Sequence, residues 1–305
     1  MFQKILVPLD GSELAEQALP AAVALSQAEN GEVILLSVPV LKHMFVRERA
    51  GYGFLWPEDS LRHSRQELMP YLQGLQEVNA RSGLVLRAEV RDGDAAGVII
   101  DTAVAENVDL IAMSTHGRSG LSRWVLGSVA EKVLRQAPCP VLVIRDTKPF
   151  SHMLITVDGS ELSEYALEPG LEVARRLGSR VTLLSVEQVE ELDPQFIAEL
   201  EQAEKGLGQH ARDDFYHRTE TYLQDIVLKY QPQLDQDIQI APKSGAPVAQ
   251  IILDFIEAND VDLVVMSTHG RTGLKRWVYG SVTEKVLRSA HCAMLIVRPP
   301  AHALA

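Results

Sequence analysis

The residues of this chain best suited to chemistry are small ones in a fixed order. Ser114-Thr115-His116-Gly117-Arg118-Ser119-Gly120 is followed, after nine residues counted from Gly117, by Gly127-Ser128. Glycines let backbone N–H groups approach an anion with no Cβ in the way. Successive amides of this kind form a nest for phosphate oxygens. Gly127-Ser128 opens an apolar-periodic segment, so it adds the positive end of a helix. The Ser128 hydroxyl can donate to a phosphate oxygen, and Arg118 places a positive charge beside the loop. A loop of this reach can wrap an extended triphosphate and touch it from both ends.

The same chemistry is written twice. Residues 113–135 read MSTHGRSGLSRWVLGSVAEKVLR, residues 266–288 read MSTHGRTGLKRWVYGSVTEKVLR, and the two differ at four of 23 positions. The shift between them is 153 residues. The opening segments match at a shift of 148, setting Asp10 opposite Asp158. The extra residues of the second copy therefore fall between these blocks, in the least similar part. Units of about 150 residues are too long for solenoid repeats, which run at periods of roughly 20–50. They are expected to be domains, 1–146 and 151–300, joined by the polar, proline-containing Asp146-Thr147-Lys148-Pro149-Phe150.

Around each loop the pattern alternates strand and helix. Strands are expected at 4–9, 32–38, 84–90, 108–113 and 140–145. A helix N-capped by Ser12 is expected to run to about Gln27, with others at 95–106 and 128–136. The second copy repeats the strands at 153–157, 180–186, 238–242, 261–266 and 293–298. Short apolar runs alternating with helices argue for a mostly parallel sheet covered on both faces. The fold class expected is α/β, two tandem doubly wound domains, each with a five-stranded, mainly parallel sheet flanked by helices. In such sheets ligands bind at the carboxyl ends of the strands, where the strand order reverses. The segments after each second strand differ: aromatic and basic at 43–56 with a helix to about Arg81, acidic at 187–192 with a long charged helix at 194–230. Each either covers a sheet edge or forms a lid or partner surface.

These residues resemble the universal stress protein family over nearly the whole of both halves. Its ATP-binding members carry Gly, two residues, Gly, nine residues, then Gly and Ser or Thr. Here the pattern reads Ser114-x-x-Gly117-nine-Gly127-Ser128 and Ser267-x-x-Gly270-nine-Gly280-Ser281, with serine in place of the first glycine. The resemblance implies a Rossmann-like architecture akin to the adenine-nucleotide α-hydrolases, and ATP as the ligand of both loops. It implies that Asp10 and Asp158 help hold adenosine, although an Asx-turn or N-cap role would also explain them. It sets Pro8, Leu9, Val38 and Met113 beside the base in one copy, and Thr156, Val157, Val186 and Met266 in the other. Arg118 and Arg271, with Val129 and Val282 after the helix-opening serines, complete the expected nucleotide contacts. The family pairs its closing strands between subunits, which implies an intramolecular pseudo-dimer here, with further homodimerisation left open.

Several other chemistries are disfavoured. The Walker pattern GxxxxGK[ST] is absent, as is the kinase set HRD and DFG. LDGSE and STHGRSG match neither the SGGxDS loop nor the HxGH pair of related ATP-cleaving enzymes. His116 and His269 are the best-placed acid–base candidates. His43, His63, His210 and His217 form no HExxH-like cluster, so the one metal expected is Mg²⁺ carried by ATP with few protein ligands. Cys139 and Cys292 have no zinc or redox spacing and read as small core residues. A net charge of −12 without a basic run argues against nucleic-acid binding. No apolar run reaches the ~18 residues of a membrane span, and no secretory h-region opens the chain, so a cytoplasmic location is expected. The leading functional expectation is a nucleotide-dependent stress-response regulator or adaptor with an unidentified protein partner. Slow ATP hydrolysis or phosphotransfer through the same loops is the alternative, and an adaptor with vestigial sites a third reading.

Overall fold

A computed structural model describes residues 2–26, 31–39, 45–48, 51–54, 57–114, 126–187, 194–269, 279–300 and 303. The chain divides into two compact units, Met1–Ile144 and Arg145–Ala305.

The first unit runs β1 (Lys4–Pro8), α1 (Glu13–Glu16), α2 (Ala18–Leu25), β2 (Gly31–Ser37), β3 (Phe45–Glu48), β4 (Gly51–Phe54), α3 (Pro57–Asn79), β5 (Leu84–Val90), α4 (Ala95–Ala105), β6 (Leu110–Ser114), α5 (Ser128–Gln136) and β7 (Val141–Ile144). Its five-stranded sheet has the order β7-β6-β1-β2-β5, and every pairing is parallel. β3 and β4 form a separate antiparallel hairpin inside the segment after β2. The second unit runs β8 (His152–Thr156), α6 (Glu161–Glu164), α7 (Leu167–Leu177), β9 (Arg180–Glu187), α8 (Pro194–Ala203), α9 (Leu207–Tyr230), β10 (Ile238–Ser244), α10 (Val248–Ala258), β11 (Leu263–Ser267), α11 (Ser281–Ser289) and β12 (Ala293–Val297). Its order is β12-β11-β8-β9-β10, again parallel throughout.

In each unit the chain winds one way from the central strand and then crosses back to the other side. Right-handed crossovers therefore put α1, α2 and α3 on one face and α4 and α5 on the other. The central strands are almost wholly buried: Ile5, Leu6 and Val7 of β1 and Leu110, Ile111 and Ala112 of β6 are inaccessible to solvent. Such strands read as continuous apolar runs because both faces are covered. The edge strands β5 and β10 are packed by α3 and α9 respectively, so each variable segment rests against an edge strand of its sheet.

Two local expectations need correction, and one element is unexpected. The helix expected from Ser12 to Gln27 is two pieces, α1 and α2, parted at Gln17, and the second copy splits likewise into α6 and α7. Pro20 and Pro169 lack the N–H that would have closed on the carbonyls of Glu16 and Tyr165, so the helix is not held across either junction. The expected single helix at 194–230 is α8 and α9, parted at Gly206, whose φ of 95° no helix accommodates. The hairpin β3–β4, with its Tyr52 flanked by two glycines, was not anticipated at all.

The helices before β6 and β11 end alike. Asn107 and Asp260 occupy matching positions with φ of 50° and 49°. Val108 and Val261 then donate back to the carbonyls of Ala103 and Ile256. This left-handed C-terminal closure suits Asn and Asp, whose short polar side chains tolerate that conformation. It aims β6 and β11 into the middle of their sheets, beside β1 and β8.

Candidate functional site

β1 and β6 are neighbours at the point where the strand order reverses, as are β8 and β11. The β1–β6 ladder stops at Leu6–Ile111 although both strands continue. On β1 the even-numbered residues face β6, as the Asp109 N–H to Lys4 carbonyl bond shows, and the odd-numbered face β2, as Leu9 to Leu36 shows. Pro8 therefore faces β6 without an N–H to give, and the strands part toward their carboxyl ends. In the second unit Thr156 stands in its place, and the β8–β11 ladder runs one pair further, to Ile155–Val265. The strand order thus reverses between these ladders in both units, with a different residue at the end of the first strand in each.

An acidic turn follows each first strand. Leu9 is buried; its N–H donates to Leu36 (2.8 Å) and its carbonyl accepts from the Ser37 hydroxyl (2.6 Å). Beyond it, Asp10 Oδ1 accepts from the Ser12 N–H at 3.0 Å and the Ser12 hydroxyl at 2.6 Å. Ser12 Oγ then accepts from the Ala15 N–H at 3.2 Å and caps α1. Asp158 and Ser160 repeat the same two bonds at 3.0 and 2.6 Å, and Ser160 caps α6. Gly11 and Gly159 have φ of 79° and 80°, which only glycine adopts without strain. The Asx-turn role of Asp10 and Asp158 is therefore realised in the fold, whatever else they hold.

The strand beside each first strand leads to a helix start. β6 ends on buried Met113 and half-buried Ser114, and β11 on buried Met266 and Ser267. The described non-glycine residues with positive φ are Asn107 and Asp260, so serine fits where the family pattern has its first glycine. Gly117, Arg118 and His116, with Gly270 and Arg271, lie outside the described residues. The chain is described again before α5 and α11, whose N-caps are Gly127 and Gly280. Neither has a side-chain cap, so the first-turn amides at Ser128–Val129 and Ser281–Val282 have no partner from a capping side chain. Ser128, Val129 and Ser281 are exposed, and Val282 is half-buried. An uncapped helix start of this kind is a natural anion seat.

The second unit fastens this end more tightly. Thr283 donates its hydroxyl to the Ser267 carbonyl (2.9 Å), and Gly280 N–H donates to the Thr268 carbonyl (2.8 Å). The first unit has Ala130 where Thr283 stands and cannot make the former bond. His269 Nδ1 lies 2.9 Å from Thr268 Oγ1. Burial, helped by the nearby Arg298 charge, holds the His269 pKa below the usual imidazole value, so its ring is neutral near pH 7. The remaining expected residues lie at or just beyond the carboxyl ends of the first and second strands of each unit. Pro8 and Val38 are half-buried, while Thr156, Val157 and Val186 are buried.

Both units match one family model, described as the universal stress protein family, at residues 1–145 and 149–298. The chain belongs to the universal stress protein family. A universal stress protein of Mycolicibacterium smegmatis is 25% identical over 304 residues, 97% of both chains. One from Bacillus subtilis is 33% identical over 149 residues, 48% of this chain and all of the relative, so single-unit and tandem relatives both exist. The crystal structure of a universal stress protein from Archaeoglobus fulgidus shares the fold across 98% of this chain and 99% of its own, with a TM-score of 0.66 at 21% identity. This universal stress protein is therefore a tandem α/β protein, as its repeat implied. None of its described helices is long and apolar enough to cross a membrane. Among the described residues no group of three His, Cys, Asp or Glu side chains is arranged to hold a metal. Cys139 and Cys292 are free thiols whose pKa values burial pushes up to about 12, which suits inert packing residues rather than reactive ones.

Sequence reasoning missed one feature of the site. Tyr71 donates its hydroxyl to Glu16 at 2.9 Å, and Tyr222 donates to Glu164 at 3.0 Å, joining each variable segment to the helix behind the acidic turn. The signal was a Tyr-Leu-Gln tripeptide at 71–73 and 222–224, inside the segments where the copies otherwise diverge.

Proposed function

We propose that this universal stress protein holds ATP at the strand crevice of each unit. Each copy is taken as a domain with its own site, 1–146 and 151–300. The reading is supported by one repeated arrangement: in both units an Asp-Gly-Ser turn ends the strand beside the one that leads to an uncapped Gly-Ser helix start. The geometry of the turn repeats to within the last digit of its distances. Main-chain amides and Ser128 or Ser281 would grip phosphate, with Arg118 and Arg271 adding charge. Leu9, Val38 and Met113, or Val157, Val186 and Met266, would flank the base. Mg²⁺ would enter with the nucleotide, since the described residues offer no cluster of their own for it.

The consequence we propose is regulatory. Occupancy would change what the protein contacts in the cytoplasm, as a nucleotide-dependent stress-response regulator or adaptor. Mass spectrometry of small molecules released from the denatured native protein, followed by calorimetric titration with ATP, tests the first step. Protein that releases no adenine nucleotide and takes up none at millimolar ATP would sink the reading. A neutral His269 beside the second loop favours slow hydrolysis as the alternative. Single-turnover assays on wild type and the His116→Gln, His269→Gln double variant distinguish the two: turnover that the double substitution abolishes supports hydrolysis, and wild type without turnover excludes it.

A further inference from the structure

The acidic turns are held at both ends, and the second hold comes from the part of the chain that differs most between the units. α1 and α6 are four-residue helices, too short to be stable alone. At the N-terminal end of each, Ser12 or Ser160 caps the helix and clamps the aspartate. At the C-terminal end, Glu16 or Glu164 accepts the hydroxyl of Tyr71 or Tyr222.

These tyrosines sit in unlike surroundings. Tyr71 belongs to the single helix α3 of 23 residues, whereas Tyr222 belongs to α9, preceded by a separate α8. Yet the anchoring is the same. Leu72 and Leu223, next to the tyrosines, are both fully buried, and Leu68 and Thr219 one turn earlier are buried too. Residues three and four apart share a helix face, so each tyrosine rides on a face pinned to its sheet. Tyr222 is further fixed by its setting: burial, the adjoining Glu164 carboxylate and the Asp158 charge all push its pKa up, so the hydroxyl keeps its proton and donates.

We infer that Tyr71 and Tyr222 are positioning residues, which hold the Asp10 and Asp158 turns in place by donating to Glu16 and Glu164. They touch no nucleotide in this scheme and act through the one-turn helices. The functional consequence rests on the nucleotide reading above, whereas the mechanical one does not. The variable segments thereby gain a definite role, since a hydroxyl on α3 or α9 fixes the floor of the site.

The test uses the full chain and the variants Tyr71→Phe and Tyr222→Phe, which remove one oxygen and keep the packed ring. Amide hydrogen exchange over residues 10–17 and 158–166 is measured first. The expected result is an increase of about tenfold or more in the matching segment only, corresponding to loss of one hydrogen bond to a charged group. ATP affinity is measured next, with a weakening of about threefold or more expected. Glu16→Gln and Glu164→Gln retain an acceptor oxygen without the charge and should fall between wild type and the phenylalanine variants in both assays, whereas Glu16→Ala and Glu164→Ala should match the phenylalanine variants. That partial rescue separates positioning from a general loss of stability. Unchanged exchange in the phenylalanine variants, or ATP affinity equal to wild type in a protein that does bind ATP, overturns the inference. Wild type that fails to bind ATP overturns the functional proposal instead, and the exchange and rescue data then decide the latch alone.

Discussion

Gly280 offers a perturbation whose effects on stability and on binding should have opposite signs. Its φ of −55° and ψ of 144° are open to any L-residue, and a Cβ there would lie 3.6 Å from the Thr268 carbonyl, an ordinary contact among the described residues. The backbone does not require glycine. Gly280→Asp would supply the missing cap of α11, worth a few tenths of a kcal/mol over glycine, roughly. A carboxylate at the positive helix end adds about 0.3–1 kcal/mol. The sum, about 0.5–1.5 kcal/mol, corresponds to a rise in Tm of roughly 1–6 °C for a unit of this size. The same carboxylate would face any bound phosphate. At ~5 Å and an effective dielectric constant of ~20 the repulsion is about 3 kcal/mol before salt screening. A loss of ATP affinity of at least about tenfold follows. Calorimetric melting of the nucleotide-free protein and titration with ATP read the two effects separately. Gly127→Asp is the matching change at α5, where φ is −64° and ψ 148°. A lower Tm would mean that glycine serves the fold, and undiminished ATP affinity would mean that the helix start is not the phosphate seat.

Two further outcomes follow from packing and from titration. Gly170→Ala is expected to cost about 1–3 kcal/mol, because its Cβ would come within 2.9 Å of Ile155 and 3.1 Å of Val265. The matching positions of the first unit carry Ala22, Val7 and Ala112, so adding Val265→Ala should recover much of that loss; simple additivity in a denaturation cycle would refute the compensation. Burial holds the His152 pKa below its ordinary value of about 6.5, with Arg180 opposing the proton, while the Asn259 carbonyl, Asp262 and Asp260 favour it. The unfolded chain then binds a proton that the folded one refuses, so stability present above about pH 6.5 is lost as pH falls toward the folded-state value. Between about pH 7.5 and 5.5, above the main carboxylate range, urea unfolding of His152→Asn should show a shallower decline than wild type; parallel slopes would exclude the coupling.

What could be read from the chain alone followed from how local each signal is. Every strand of the two five-stranded sheets was legible: the central ones are short apolar runs with turn residues at their ends, and the half-exposed edge strand β5 shows as an alternating run. The start of α5 at Ser128 and its end at Gln136 were legible too, since Gly-Ser and an amphipathic period mark them. The breaks at Gln17 and Tyr165 were not, although Pro20 and Pro169 were in view: a proline in the first turn of a helix is ordinary, and Pro70 sits inside α3 without ending it. The switch point needed the sheet order, which no local pattern carries. The Tyr71–Glu16 pair spans 55 residues, and only the recurrence of Tyr-Leu-Gln hinted at it.

The two units together separate what packing demands from what a ligand would demand. In the core the copies have drifted with compensation. Gly170 replaces Ala22 where Val265 and Ile155 replace Ala112 and Val7, so volume lost on the helix is regained on the strands. Packing permits such exchanges because total volume matters more than identity. The segment from Met113 to Arg135 has not drifted in that way: 19 of its 23 residues recur unchanged, including the serine, histidine and glycines at the strand end and the Gly-Ser of the helix start. Neither Gly127 nor Gly280 has a backbone conformation that requires glycine. A requirement that survives in both copies without a conformational cause is the kind an anion imposes when it must approach the main chain closely. The replacement of Pro8 by Thr156 at the opposite lip predicts where the sites differ. Exchanging these residues, Pro8→Thr and Thr156→Pro, should alter base-side selectivity between ATP and GTP in each unit while leaving phosphate affinity, read with inorganic triphosphate, unchanged; an equal effect on both would place this lip at the phosphates instead.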